Sequence, residues 1–323
     1  MEWLINNISK MMADKFSQNN TKQHPTEVGC CVVFCISYVF LLYDLSICNK
    51  CLIYTNKFDT ICQMISSFFF KKSLGQNFIY DEGFLASIVH ELGLSKDDII
   101  VEVGTGAGTL TRVLSARVKK VITYEIDRSL EPILQKQFAD TPGGVELHFA
   151  DIMKVTEFPD NFKLIANIPY YITTPLILKF MGYRGCHEIC VLIQEEVANR
   201  IVAKPNSKEY GALSVTLQAQ GTCKIIKKVP RSLFKPVPGV DSAFVKIAKN
   251  ASKAHDQYEL GFNKLVKGMF AARRKTALNA LKQTFRLDTQ SARELLVRAG
   301  IDETIRPEQI TVAQFVKLSQ ILP

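Results

Sequence analysis

Asn167-Ile168-Pro169-Tyr170-Tyr171, which follows the run Lys163-Leu164-Ile165-Ala166, has residue types that can handle an aromatic amine. An exocyclic adenine amine is a poor nucleophile because its lone pair is delocalised into the ring. The Asn167 side-chain oxygen and a neighbouring backbone carbonyl can accept both amine hydrogens. That favours a pyramidal nitrogen with its lone pair aimed at an electrophile. Pro169 fixes the backbone so that a carbonyl faces a cleft and not a sheet ladder. Tyr170 offers a face for stacking a base, worth on the order of 1–3 kcal/mol. Taken alone, the pentapeptide reads equally well as a strand end with a capping Asn and two core tyrosines.

A second group lies upstream. Glycines 104, 106 and 108 in "EVGTGAGTLT" allow a tight turn and close approach of the backbone to a ligand. Glu125, 21 residues after Gly104, is spaced to accept hydrogen bonds from a ribose diol. Asp151 is a strand-end acid that can accept from an adenine amine, although a turn or cap Asp has the same look. The G-x-G-x-G spacing differs from the G-x-G-x-x-G of nicotinamide enzymes, which disfavours an oxidoreductase.

Positioning these groups requires an α/β sheet. "IIVEV" (99–103) is a continuous β-branched run suited to a buried parallel strand. The glycine turn then opens a helical pattern, and "KKVITYEID" (119–127) is a second strand ending in acids. This β-loop-α-β unit predicts a doubly wound sheet whose ligands sit at the carboxyl edge of the strands. "GVELHFAD" (144–151) and "FKLIANIPYY" (162–171) bring Asp151 and Asn167 to that same edge.

The chain has 323 residues and a net charge of +9, unevenly spread. Residues 1–70 hold five lysines and five acids; the remainder carries all the excess, which suggests a polyanionic partner. Six of nine cysteines also fall in that first stretch, and the body has no disulfide framework, so a reducing, cytoplasmic setting is expected. Cys48 and Cys51 have metal-ligand spacing, but no second pair follows, and no metal is expected. The apolar run 28–43 is shorter than the ~18–20 residues of a membrane span. Residues 1–70 read as an appendage, either poorly ordered or translated from a wrongly chosen start, with a membrane anchor the competing reading.

From Lys71 onward the sequence resembles the ribosomal RNA small-subunit adenine dimethyltransferase family. "LGQNF" (74–78), "EVGTGAGTLT", "YEID", the Ala-Asp at 150–151, "NIPYYITTP", "IQEEVANRI", "SKEYGALSV", "PRSLFKPVPGVDSAFV" and "FAARRKTALNAL" follow in the family's order. The resemblance implies a Rossmann-like class I methyltransferase sheet (71–252) and a small C-terminal all-α RNA-binding domain (253–323). It implies N6,N6-dimethylation of two adjacent adenosines near the 3′ end of small-subunit rRNA, with S-adenosylmethionine, by a monomer acting on assembling particles. By the same carry-over Asn77, Ile79, Gly104, Gly106, Glu125, Asp151 and Asn167 contact the cofactor or the target amine. Asn167 and Pro169 shape the amine site, while Tyr170 and Phe234 sandwich the base. Tyr171 stands where the family usually has Asn, and Glu195 and Gly239 where it usually has Lys. The first is expected to alter packing behind the target site, the others to weaken RNA contact.

Residues 261–287 carry seven basic residues and no acid. Read as one helix, they place Phe262, Leu265, Val266, Met269 and Phe270 on an apolar face, with Lys264, Lys275, Lys282 and Arg286 roughly opposite. Lys264, Lys267, Arg274, Lys275, Lys282 and Arg286 are the expected phosphate contacts. Arg273 falls on the apolar side and is expected at the domain junction. The competing functions are a large-subunit methyltransferase of the erythromycin-resistance group, against which "RRKT" argues, and a non-catalytic RNA-binding factor. Intact Gly104, Glu125, Asp151 and Asn167 argue against the latter.

Overall fold

Alternation along the β-branched run Ile99–Val103 settles how the sheet is covered. Ile100 faces one apolar cluster and Val101 and Val103 face another, so the strand is buried on both sides. The computed structural model describes residues 77–141, 144–250 and 259–322, all within one compact unit, Phe69–Pro323. The apolar run 28–43, the Cys48/Cys51 pair and the reading of 1–70 as an appendage lie outside the described residues.

In chain order the elements are β1 (Phe78–Ile79), α1 (Glu82–Glu91), β2 (Ile99–Val103), α2 (Thr109–Ser115), β3 (Lys120–Glu125), α3 (Glu131–Phe138), β4 (Val145–Phe149) and β5 (Phe162–Asn167). They continue with α4 (Tyr170–Met181), β6 (Cys186–Gln194), α5 (Glu195–Val202), α6 (Ala212–Gln218), β7 (Gly221–Val229), β8 (Phe234–Lys235) and β9 (Ser242–Lys249). The C-terminal helices are α7 (Glu259–Ala271), α8 (Ala277–Phe285), α9 (Thr289–Ala299) and α10 (Val312–Ile321). The sheet order is β4-β3-β2-β5-β6-β9-β7. Pairings from β4 through β6 are parallel, while β9 runs antiparallel to both β6 and β7. The order reverses between β2 and β5, the switch point where such sheets hold ligands. A separate short ribbon pairs β1 with β8, setting Ile79 opposite Phe234.

Among the described residues, the buried side chains of the C-terminal helices belong to a cluster separate from those of the sheet. They share an apolar core with the α5–α6 region, where Tyr210 and Val215 meet Leu265, Val266, Met269 and Phe315. The Tyr210 hydroxyl donates to the Ile310 carbonyl at 3.0 Å. Arg273 pairs with Glu308 and donates to the Lys208 carbonyl at 2.9 Å.

Two element expectations are corrected. The stretch 261–287 is not one helix: it breaks after Ala271, and Thr276 caps α8 through its hydroxyl. Lys264 therefore sits on α7, Lys275 in the turn, Lys282 on α8, and Arg286 at the left-handed end of α8, so they form no single stripe. The strand expected to end at Asp151 stops at Phe149, and Asp151 opens a turn.

Candidate active site

The carboxyl ends of β2, β3, β4 and β5 open into one cavity, and the segments leaving them supply its walls. Leaving β2, the chain turns through Gly104 at φ 84°, where a Cβ would stand 2.9 Å from the Asn167 carbonyl oxygen. Only a bare backbone lets the glycine loop and the Asn167 segment close on one another. At Gly106 the space a Cβ would need is filled by the Phe78 ring, 2.5 Å away. The segment preceding α1 is thereby seated on the loop, with Asn77 and Ile79 in the cavity wall.

Glu125 ends β3. Its Oε2 accepts the Gly106 N–H at 2.9 Å and its Oε1 the Asp127 N–H at 2.8 Å. The carboxylate thus ties down the loop as well as lining the cavity, and each oxygen keeps a lone pair for a further donor. Burial raises its pKa, opposed by the Asp127 and Gly106 N–H groups. On the α2 side of β2 lies Glu102, fully buried, with Thr111 Oγ1 donating to its Oε2 at 2.6 Å. Its Oε1 has no partner among the described residues, and burial pushes the carboxyl up to about 7.

Asp151 accepts the Met153 N–H on Oδ1 at 3.0 Å and lines the cavity with Ile152. Asn167 is the last residue of β5. Pro169, at φ −54° and ψ 139°, caps α4. Its carbonyl accepts the Ile172 N–H at 3.2 Å and the Thr173 hydroxyl at 3.3 Å. The carbonyl expected to face the cleft is therefore not that of Pro169, because helix α4 consumes it; that of Ile168, just before the proline, is left. The Tyr170 hydroxyl is hydrogen-bonded to the buried Ser242 hydroxyl at 2.7 Å, which fixes the ring at the cleft.

All ten residues expected to act in catalysis or cofactor binding line this one cavity. Two differ in setting from the expectation. Phe234 is 1% exposed, held in the core by its pairing with Ile79, so it forms a floor and not an open wall. Tyr171 does not pack behind the site: it is 71% exposed at the cavity mouth. Sequence reading overlooked Ile126 and Ile152, although an acid followed by Ile at two successive strand ends was a visible signal. It also overlooked Ser242, whose contact with Tyr170 spans too much sequence to leave a local sign.

The basic residues divide differently. Arg274, Lys275 and Lys282 line an open hollow beside α8. Lys275 donates to Gln283 at 2.9 Å and Lys282 to Thr289 at 2.6 Å. Lys264 lays its ammonium 5.0 Å from the centre of the Phe285 ring, while Lys267 and Arg286 are exposed. Glu195 pairs with Lys228, and Gly239 is exposed with no atom within 4 Å of where a Cβ would stand.

The family model "Ribosomal RNA adenine dimethylase" matches residues 67–323. The chain belongs to the ribosomal RNA adenine dimethylase family. A relative from Alkaliphilus oremlandii, "Ribosomal RNA small subunit methyltransferase A", is 40% identical over 266 residues, covering 79% of this chain and 92% of that protein. The Clostridioides difficile protein of the same name matches at 40% with the same coverage. Among solved structures, a dimethyladenosine transferase from Plasmodium falciparum superposes with a TM-score of 0.65 at 26% identity, over 75% of this chain and 95% of that one. The 23S rRNA methyltransferase ErmE superposes at 0.62 with 24% identity, over 75% and 98%, a likeness of fold. As a member of this dimethylase family the chain is an rRNA adenine dimethyltransferase, and S-adenosylmethionine is its methyl donor. The cavity suits that donor: Glu125 at the end of β3 and Asp151 in the turn after β4, each followed by an isoleucine, give it both polar and apolar lining for a nucleoside.

Proposed function

We propose that this dimethylase modifies N6 of two adjacent adenosines near the 3′ end of small-subunit rRNA during ribosome assembly, as a cytoplasmic monomer. The observation that carries the reading is the convergence of Gly104, Glu125, Asp151 and Asn167 on one cavity at the switch point of the sheet. Glu125 holds the ribose hydroxyls with its free lone pairs, and Asp151 accepts from the cofactor adenine, with Ile126 and Ile152 on its faces. S-adenosylmethionine supplies a methyl group on a sulfonium centre, so the target amine needs orientation more than a strong base. Asn167, with the Ile168 carbonyl, accepts the two amine hydrogens and turns the nitrogen lone pair toward the methyl. Tyr170, anchored by Ser242, stacks the target base over the Phe234 floor. The C-terminal helices from Glu259 onward present Lys264, Lys267, Arg274, Lys275, Lys282 and Arg286 to the RNA backbone.

Two methyl groups on N6 block the Watson–Crick edge and stop a reverse transcriptase. Primer extension on unmodified small-subunit particles should therefore give stops at two adjacent adenosines. Asn167→Ala should abolish the stops while leaving RNA binding nearly intact. Stops on large-subunit RNA, or near wild-type stops with Asn167→Ala, would overturn the reading.

A further inference from the structure

Lys179 lies on α4, between two and three turns after Tyr170. Its ammonium donates to three backbone carbonyls of one short turn: Ile152 at 2.8 Å, Met153 at 3.0 Å and Val155 at 2.5 Å. A lysine has three N–H donors, and here all are spent on one loop, so none remains for phosphate or solvent. The ammonium also sits 5.6 Å from the centre of the Phe158 ring, the next aromatic along that loop. The loop is the one that begins at Asp151. Its turn is closed by Met153 N–H to the Asp151 carboxylate and by Lys154 N–H to the Asp151 carbonyl at 2.9 Å. Ile152, the residue that follows Asp151 into the cavity wall, is 4% exposed.

We propose that Lys179 is a positioning residue for cofactor recognition: it clamps the 152–155 turn so that Asp151 is held at the adenine end of the cavity. The same helix carries Tyr170 in its first turn, so the clamp sets the cofactor's adenine and the target base from one rigid element. The proposal rests on Asp151 accepting from the cofactor adenine, and its test separates the two ideas. A lysine that merely supported the fold would lower thermal stability and leave ligand selection alone.

The test is a double-mutant cycle read by calorimetry with S-adenosylhomocysteine and its 6-oxo (inosine) analogue, which lacks the amine that Asp151 would bind. Asp151→Ala should weaken S-adenosylhomocysteine and remove the preference over the inosine analogue. Lys179→Met should weaken it by roughly tenfold, a coupling usual for residues that share one hydrogen-bond network, and shrink the same preference. In the Asp151→Ala background Lys179→Met should cost little more. In methylation assays KM for S-adenosylmethionine should rise while kcat at saturation stays near wild type. Lys179→Arg, which keeps the charge, should recover part of the loss and serves if the Met variant does not fold. Unchanged affinity in folded Lys179 variants would overturn the proposal, as would an equal loss with or without Asp151. Unchanged affinity in Asp151→Ala would instead remove the adenine reading on which it stands.

Discussion

At the residue scale two buried carboxylates with different duties flank the glycine loop. Glu125 is needed twice, because it holds the Gly106 and Asp127 N–H groups and faces the cavity. Glu125→Ala is expected to weaken S-adenosylmethionine roughly tenfold or more, since hydrogen bonds to a charged group are worth about 1.5–3 kcal/mol each. It should also lower the urea midpoint, because two N–H groups lose their acceptor. Calorimetry that finds unchanged affinity in a folded variant would rule out the ribose role. Glu102 does not line the cavity, and its burial should show in the pH dependence of stability. Below its unfolded value of 4.5 the group is protonated in both states; from there to about 7 only the folded protein holds the proton. Stability is therefore lost as pH rises through that window, by on the order of 3 kcal/mol for a shift from 4.5 to about 7. Glu102→Gln cannot ionise, so urea titrations at pH 5 and pH 8 should show wild type losing stability relative to the variant. A difference that does not change with pH would mean that Glu102 is already ionised at pH 5. Glu125 was legible in the sequence because the glycine turn and the end of the next strand fix its place, whereas nothing in the run Ile99–Val103 announced that Glu102 would be fully buried. The Lys179 clamp was not legible either: a lysine in a helical pattern reads as solvent-facing, and nothing local says that three carbonyls from another loop meet it.

At the element scale the sheet was readable and the C-terminal helices less so. β2, β3 and β5 are short, mostly apolar or β-branched runs bounded by turn residues, so their existence followed from pattern. The break between α7 and α8 had no Gly or Pro to announce it, and seven basic residues without an acid looked like one continuous face. What bends the chain back is packing. Gly268 on α7 meets Thr284 on α8 so closely that a Cβ would lie 2.1 Å from its methyl carbon. Gly268→Ala must push the helices apart or strain Thr284, at a cost of about 1–3 kcal/mol typical of overpacking. Urea denaturation should show that loss and its partial relief in the Gly268→Ala, Thr284→Ala double variant. A neutral Gly268→Ala would mean that the α7–α8 contact is looser than this geometry.

At the scale of the whole molecule, the basic charge acts away from the cavity. The body after residue 70 carries the entire net +9, yet among the described residues no lysine or arginine lines the cofactor cavity. Binding and chemistry are thus separable by mutation. Arg274, Lys275 and Lys282 share one hollow, whereas Lys264 covers the Phe285 ring and offers less to a phosphate. Replacing Arg274, Lys275 and Lys282 together by Gln should weaken RNA binding without changing cofactor affinity. Each lost phosphate contact is worth about 0.7–0.9 in the slope of log affinity against log salt, so the slope should become shallower by about 2–3. Lys264→Gln alone should change it by less than any member of that trio. The loss should be alike for cognate and unrelated RNA, because phosphate contacts position the enzyme while the flipped base is read in the cleft. Arg273→Gln should behave differently, lowering stability through its lost contacts with Glu308 and Lys208 while leaving the salt slope in place. An unchanged slope in the triple variant would assign the hollow to an ordinary solvated surface. The RNA path would then have to run along Lys267, Arg286 and the face of α7.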